Sequence, residues 1–329
     1  MINEAIRAAV VVALLAFQLA GVARADPVTV TDKLGRTVTV EAPVRRAILF
    51  ETYELMSALG AWDRVVGISR YAFDNDLVKA VRPGIRAEVA DVGAMADVNV
   101  EHLLALNPDL VVVWSLNPGL VSFLEGKGIP VIVCNPESPQ EVMDALRLQG
   151  RLFDRKAEAE RAAGAIQAML DKVAARTRDM APADRRHGLW MLGKPTVVGA
   201  RNSVAARIMV AAGIDNVAGD IPESWAEVPV ERILAWNPDV VFIWGWARFE
   251  AGDIVSGGQW QNLTAARAGT VWKTPRWSTW SPRLAPMALW MASKAYPDRF
   301  RDVDVKGEID GFFRAVYGVP YDRVSPLDP

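Results

Sequence analysis

The sequence predicts an α/β protein of two similar lobes joined by one long helix. Three observations predict it. Short β-branched runs alternate with helical segments in both halves of the chain. One segment, VNVEHLLALNPDLVVVW (98–114), returns as VPVERILAWNPDVVFIW (228–244). Between the halves lies a proline-free stretch rich in Ala, Arg, Lys and Glu.

The elements follow in order. VTVTDKLGRTVTV (28–40) alternates apolar and polar residues around a Gly-containing turn and reads as a β-hairpin. RAILF, VVGIS, LVVVW and PVIVC read as strands near 46–50, 65–69, 110–114 and 130–134, separated by helices such as ETYELMSALG and VEHLLALN. Strands alternating with helices imply parallel pairing. GLWML, DVVFIW and GTVWK repeat the scheme near 188–192, 239–244 and 269–273. From Asp154 to Met180 the apolar residues Ile166, Met169, Leu170 and Val173 fall at i, i+3, i+4, i+7, which predicts one helix, roughly 40 Å long. The expectation is two Rossmann-like lobes with parallel-rich sheets, 26–153 and 181–329, around a linker helix at 154–180, with a ligand cleft between the lobes.

The repeat sharpens this. From Asp97 to Trp114 and Glu227 to Trp244, ten of eighteen positions are identical. Each copy is a helix, an Asn-Pro-Asp turn and a buried strand ending in Trp. Proline stops the helix, and the Asn before it is expected in extended geometry. Each copy also keeps a glutamate, Glu101 and Glu231. Duplicated units predict approximate two-fold symmetry, with equivalent residues at equivalent places.

Composition excludes several classes. Lys and Arg number 37 against 39 Asp and Glu, and no basic stripe is present, which argues against nucleic acid. Arg7, the short apolar run AAVVVALLAFQLAGV and Ala23-Arg24-Ala25 read as a signal peptide over 1–25, cleaved after Ala25. No cysteine near that point offers a lipid anchor. Cys134, the single cysteine, is expected to be a packed thiol. Enzymatic machinery is missing: there is no GxSxG, GxGxxG, P-loop or HExxH. Glu223, Glu227 and Asp253 are the carboxylates a glycosidase pair would need, and nothing in the sequence brings them together. The two histidines, His102 on the repeat helix and His187 in an expected loop, make a free zinc or manganese site improbable. The expectation is no enzyme, no cofactor and no metal beyond one carried inside a ligand.

The phrases TDKLGRTVTVEAPVRRAI, ELMSALG, VNVEHLLALNPDLVVVW, WQNLTAARAGTVW and SPRLAPMALWMASKAYPDRF together resemble the periplasmic substrate-binding proteins of ABC importers for iron–siderophore complexes, haem and cobalamin. The resemblance implies a periplasmic, monomeric protein that hands a small-molecule metal chelate to a permease dimer with its ATPase subunits. It places the permease-docking glutamates at Glu101 and Glu231, against the plainer role of acidic residues favouring a helix N-terminus. An iron–siderophore complex is the expected cargo, haem or cobalamin the alternatives, and a periplasmic ligand sensor the other reading.

Ligands gather outside the carboxyl ends of strands in α/β sheets. The loops there supply Tyr53, Arg70, Tyr71, Trp114, Arg201, Trp225, Trp246, Arg248, Trp277, Trp280 and Arg283 as ligand-binding candidates. Ten of the twelve tryptophans lie between 190 and 290. Trp236, Trp244, Trp272 and Trp290 fit packing patterns, whereas Trp246, Trp277 and Trp280 sit in loops. Aromatic faces suit a flat or partly apolar ligand, and arginines suit its oxygens. Arg283, in the S-P-R phrase, is expected to pair with ligand oxygens while Trp277 or Trp280 stacks.

Overall fold

The computed structural model describes residues 26–114 and 118–324; the expected signal peptide lies outside them. The hairpin forms as read, β1 (Val28–Thr31) against β2 (Thr37–Val40). The first lobe follows, with β3 (Ala47–Leu49), α1 (Tyr53–Leu59), β4 (Val65–Ile68), α2 (Asp76–Val81), α3 (Ile85–Glu88), β5 (Ala90–Asp91) and the small hairpin β6 (Gly93–Ala94) and β7 (Asp97–Val98). It continues through α4 (Val100–Ala105), β8 (Leu110–Val113), α5 (Pro118–Gly126), β9 (Val131–Val133) and α6 (Pro139–Leu152). Its sheet runs β5-β4-β3-β8-β9, all parallel. The chain winds outward from β3 to β5, then restarts beside β3 at β8. That β3/β8 junction is a switch point, where the loops diverge and open a crevice.

After the long helix α7 (Lys156–Thr177) the second lobe is built from β10 (His187–Met191), β11 (Val197–Gly199), α8 (Val204–Ala211), β12 (Asp215–Asn216), β13 (Trp225–Glu227), α9 (Val230–Trp236) and β14 (Val240–Ile243). Then come α10 (Ala251–Val255), α11 (Thr264–Ala268), β15 (Val271–Lys273), α12 (Leu284–Ala295), α13 (Pro297–Phe300) and α14 (Val305–Tyr317). Here β10, β12, β14 and β15 are parallel, while β11 and β13 join antiparallel. The switch point lies between β10 and β14. His187 opens β10 rather than sitting in a loop, exposed and 3.3 Å from Asp239.

The sequence repeat is a structural repeat. Burial runs in the same order along 101–114 and 231–244: exposed in the first turn, buried at Leu103 and Ile233, then buried throughout the strand. The Asn-Pro-Asp turn does the same work twice. Asp109 accepts the backbone N–H groups of Arg45 and Arg46, and Asp239 accepts that of His187. Each carboxylate thereby ties its strand to the neighbouring first strand of the lobe. One expectation is corrected here. Asn107 and Asn237 are left-handed, at φ 45° and 44°, not extended. Asn tolerates that region because its short polar side chain bonds locally, and a left-handed residue is a common way to end a helix.

Strand alternation sends Leu49, Val112, Trp190 and Phe242 into one core, shared by both lobes and roofed by α7, α12 and α14. The other faces fill separate cores, with Ile48, Val111 and Val113 in the first lobe and Leu189, Val241 and Ile243 in the second. Helix α7 is shorter than expected, 22 residues, because Asp154 turns left-handed at φ 55° and starts a new helix. It buries Ala162, Ile166, Met169 and Val173 and packs on α1, α6, α12 and α14. It is part of the core, not a free strut.

A buried charge cluster crosses between the lobes. Arg283, at the start of α12 and without solvent exposure, donates through Nε to Glu54 at 2.9 Å and through Nη2 to the same carboxylate. Its Nη1 donates to Asp76 at 2.9 and 3.2 Å. Glu54 also accepts from Asn75 at 2.7 Å.

Two outcomes follow from this packing. The shared core resists bending, so empty and loaded states should differ by a small rotation; paired crystal structures or solution scattering with a closure of tens of degrees would contradict it. Arg283→Ala strands two carboxylates behind α12 and should cost about 3–5 kcal/mol in denaturant unfolding, whereas a loss below about 1 kcal/mol, the exposed-pair range, would mean the cluster does not hold the lobes.

Candidate functional site

Loops leaving β3, β8 and β9 of the first lobe meet the loop after β15 of the second. After β3 come Glu51 and Thr52, after β8 Trp114, and after β9 Cys134, Asn135 and Pro136; together with Trp280 of the second lobe they line a cavity of about 10 Å³. Trp114 and Trp280 meet across it, ring centroids 5.0 Å apart and tilted by 58°. Beside them the Glu137 carboxylate of the first lobe accepts the backbone N–H of Val204 at 3.1 Å, at the first turn of α8 in the second lobe. A carboxylate at that position meets free N–H groups and the positive end of the helix. The lobes are therefore closed upon one another over a narrow floor. A water-sized space holds no large cargo, so a ligand reaches the floor only as Trp114 and Trp280 part.

The floor is electrostatically unusual. Burial, with the nearby Glu54 carboxylate adding to it, pushes the Glu51 carboxyl from an ordinary 4.5 up to about 7. Burial raises Glu137 as well, against the hydrogen bond from Val204. Tyr53, half-buried beside Glu51, is raised by burial and then by Glu51 and Glu54. Burial pushes the Cys134 thiol up to about 12, which makes it a poor nucleophile. The hydroxyl of Thr52 and the carbonyl oxygen of Asn135 are buried without a hydrogen-bond partner among the described residues. Thr52 is also left-handed at φ 63°, whereas the other non-glycine residues with positive φ are Asn or Asp. A β-branched residue there is strained, by roughly 1–3 kcal/mol.

The structure sorts the expected site residues. Trp114 and Trp280 converge on the floor, and Tyr53 stands next to it at the head of α1 without lining it. Trp246 and Tyr71 stand exposed, at 40% and 63%, with Trp246 backed by Trp244 at 5.3 Å. Arg201 and Trp225 lie together where β11 meets β13, but the Arg201 guanidinium donates to the carbonyls of Gly219 and Asp220. Arg70 pairs with Asp97 at 3.0 Å, and Arg248 is exposed. Two expectations are corrected. Trp277 has no exposed surface and packs on Phe313 and Tyr321, each at 5.8 Å. Arg283 is buried among Glu54 and Asp76, so its donors are spent on the fold rather than on a ligand. Glu51, Thr52, Asn135 and Glu137 are not singled out by the sequence. Their signal was position alone, because a lone Glu or Asn in a loop has no periodicity. Glu223 and Glu227 are exposed and Asp253 caps α10, so the three carboxylates form no catalytic pair. Among the described residues no group of three or more His, Cys, Asp and Glu is placed to hold a metal ion, and no helix is long and apolar enough to cross a membrane.

A two-lobed α/β frame closing over a cleft suits the capture of a solute between its lobes. Residues 50–276 match the model of the periplasmic binding protein family, and the chain belongs to that family. It is a periplasmic binding protein and not an enzyme. It is 24% identical to the molybdate-binding protein MolA of Haemophilus influenzae, over 89% of this chain and 91% of that one. It is 26% identical to the vitamin B12-binding protein of Salmonella typhimurium, over 63% of this chain and 75% of the relative. Among solved structures, Helicobacter pylori CeuE in complex with nickel and histidine superposes with a TM-score of 0.80 at 26% identity, covering 91% of this chain and 98% of that one.

The raised Glu51 has a measurable consequence. The folded protein holds the proton more tightly than the unfolded chain does, so this contribution to stability is complete below about pH 4.5 and is lost as the pH rises through about 7. Thermal stability should therefore fall between about pH 5 and about pH 7.5, and Glu51→Gln should fall less over that interval. A variant that tracks the wild type would place Glu51 in an ordinary, solvated setting.

Proposed function

We propose that this protein captures a metal chelate in the periplasm and delivers it to a dimeric ABC permease, with an iron–siderophore complex as the leading cargo and cobalamin behind it. The observation that carries this reading is the pair of indoles, one from each lobe, that line the cleft. Trp114 and Trp280 form its floor, and Tyr71 and Trp246 stand exposed on loops of opposite lobes. Broad aromatic faces suit the partly apolar shell of a chelate far better than a small hydrated ion. The vitamin B12-binding relatives and the nickel–histidine complex of the Helicobacter protein are in keeping with a ligand in which organic groups wrap a metal. A cleft that parts by a small rotation favours a cargo held near its mouth, against the indoles, over one swallowed whole.

Delivery needs contacts on both lobes. Glu101 and Glu231 are exposed in the first turns of α4 and α9, at equivalent positions of the structural repeat. Two-fold placement suits a permease made of two equivalent halves. The chain acts as a monomer in this reading, and ATP is hydrolysed by the transporter's own subunits.

Replacing Glu101 and Glu231 together by Ala should leave folding and ligand affinity nearly unchanged, because exposed substitutions cost less than about 0.5 kcal/mol. The same double variant should abolish stimulation of the reconstituted transporter's ATPase. Normal stimulation and uptake with the cognate permease would exclude the docking role.

A further inference from the structure

We infer that the cleft selects a neutral or cationic metal chelate that donates a hydrogen bond to Glu51, and that it rejects polyanionic chelates and oxyanions. This deepens, and rests on, the chelate reading above.

The geometry supplies the argument. The floor is rich in acceptors: the Glu51 carboxylate, the Thr52 hydroxyl (which can also donate) and the Asn135 side-chain carbonyl oxygen converge on one cavity, the latter two without a partner among the described residues, and the Trp280 indole N–H is the donor beside them. Buried acceptors without donors are costly, on the order of 1–3 kcal/mol each. Such groups call for an explanation, and at a cleft between lobes a ligand that completes them is one. The left-handed backbone of Thr52 holds Glu51 and Thr52 at the strand end at a further cost in strain, another sign that the position is kept for a purpose other than stability. The indoles of Trp114 and Trp280 flank the same space, and their faces attract cations and repel anions.

Of the four candidate arginines three are engaged elsewhere, and Arg248 stands exposed and does not line the cavity. Arg283 is held by Glu54 and Asp76, Arg201 by backbone carbonyls, and Arg70 by Asp97. Lys33, the cation acting on Glu137, pairs with Glu141 at 2.6 Å. Glu137 itself occupies the first turn of α8, so the helix end that would otherwise receive an anion already holds one. An incoming oxyanion would meet two carboxylates and displace one of them. A chelate presenting amide N–H or ammonium groups would instead satisfy Glu51, Thr52 and Asn135 together. The charge of the cargo is thus where this protein parts from its molybdate-binding relative.

The test is a four-probe titration of the full protein at about pH 8, where Glu51 is ionised, read by tryptophan fluorescence and calorimetry. The probes are cationic ferrioxamine B, neutral cyanocobalamin, trianionic ferric enterobactin and molybdate. Ferrioxamine B or cyanocobalamin should bind at least about 100-fold more tightly than the two anions. Glu51→Gln, which keeps the shape of the side chain, should weaken that binding about tenfold or more and improve the anions. Tighter binding of ferric enterobactin, or a Glu51→Gln variant that binds the favoured chelate like wild type, overturns the inference and leaves the chelate reading in place. Binding of molybdate alone, or of none of the four, overturns the chelate reading and the inference with it.

Discussion

The pairing of Arg283 with Glu54 and Asp76 is the constraint around which the two lobes are arranged. A guanidinium without solvent exposure loses its hydration, and only well-aimed carboxylates recover that loss. Glu54 meets it with both oxygens and Asp76 with two further contacts. The carboxylates come from α1 and the start of α2, whereas the arginine comes from the turn that begins α12. Burial makes the cluster intolerant of partial separation, since any parting leaves a charge unpaired in a low-dielectric interior. The lobes are thus pinned on the side where α1, α7, α12 and α14 share one core, and relative motion is left to the loops at the strand ends.

The cleft lies a single helical turn from that pin. Glu51 and Glu54 are three residues apart at the head of α1, and Trp280 and Arg283 are three apart at the head of α12. One member of each pair lines the cleft and the other joins the buried cluster. The fold therefore positions the groups that line the cleft by fixing their neighbours, which is how a small site keeps its geometry. The same proximity adds the field of Glu54 to the burial that raises Glu51.

The second organising feature is duplication. The Asn-Pro-Asp turn appears twice because each lobe needs the same junction: a left-handed Asn to end the helix, a proline to forbid its continuation, and an Asp to clip the next strand to its neighbour. Glu101 and Glu231 ride on that junction. Their exposure and equivalence arise from the repeat, independently of anything in the cleft, and neither lines its floor.

The sequence by itself determined the strands flanking both switch points, the repeat and the long helix, because periodicity and the proline–asparagine turns are local properties that survive any packing; the class of protein came from the resemblance of its phrases to a known family. It also placed Trp114 and Trp280 on strand-end loops, where the structure has them lining the cavity. The short strands β5, β11, β12 and β13 carried too few residues to show a period, and their partners alone define them. Tertiary structure alone decided the fate of the loop that holds Trp277, Trp280 and Arg283. All three sit within one irregular stretch with no burial pattern to separate them, yet Trp277 turns to Phe313 and Tyr321, Arg283 turns to Glu54 and Asp76, and only Trp280 turns to the cleft. Their partners lie 36 to 229 residues away in the chain, and a contact made over such a distance leaves no mark on the neighbouring sequence.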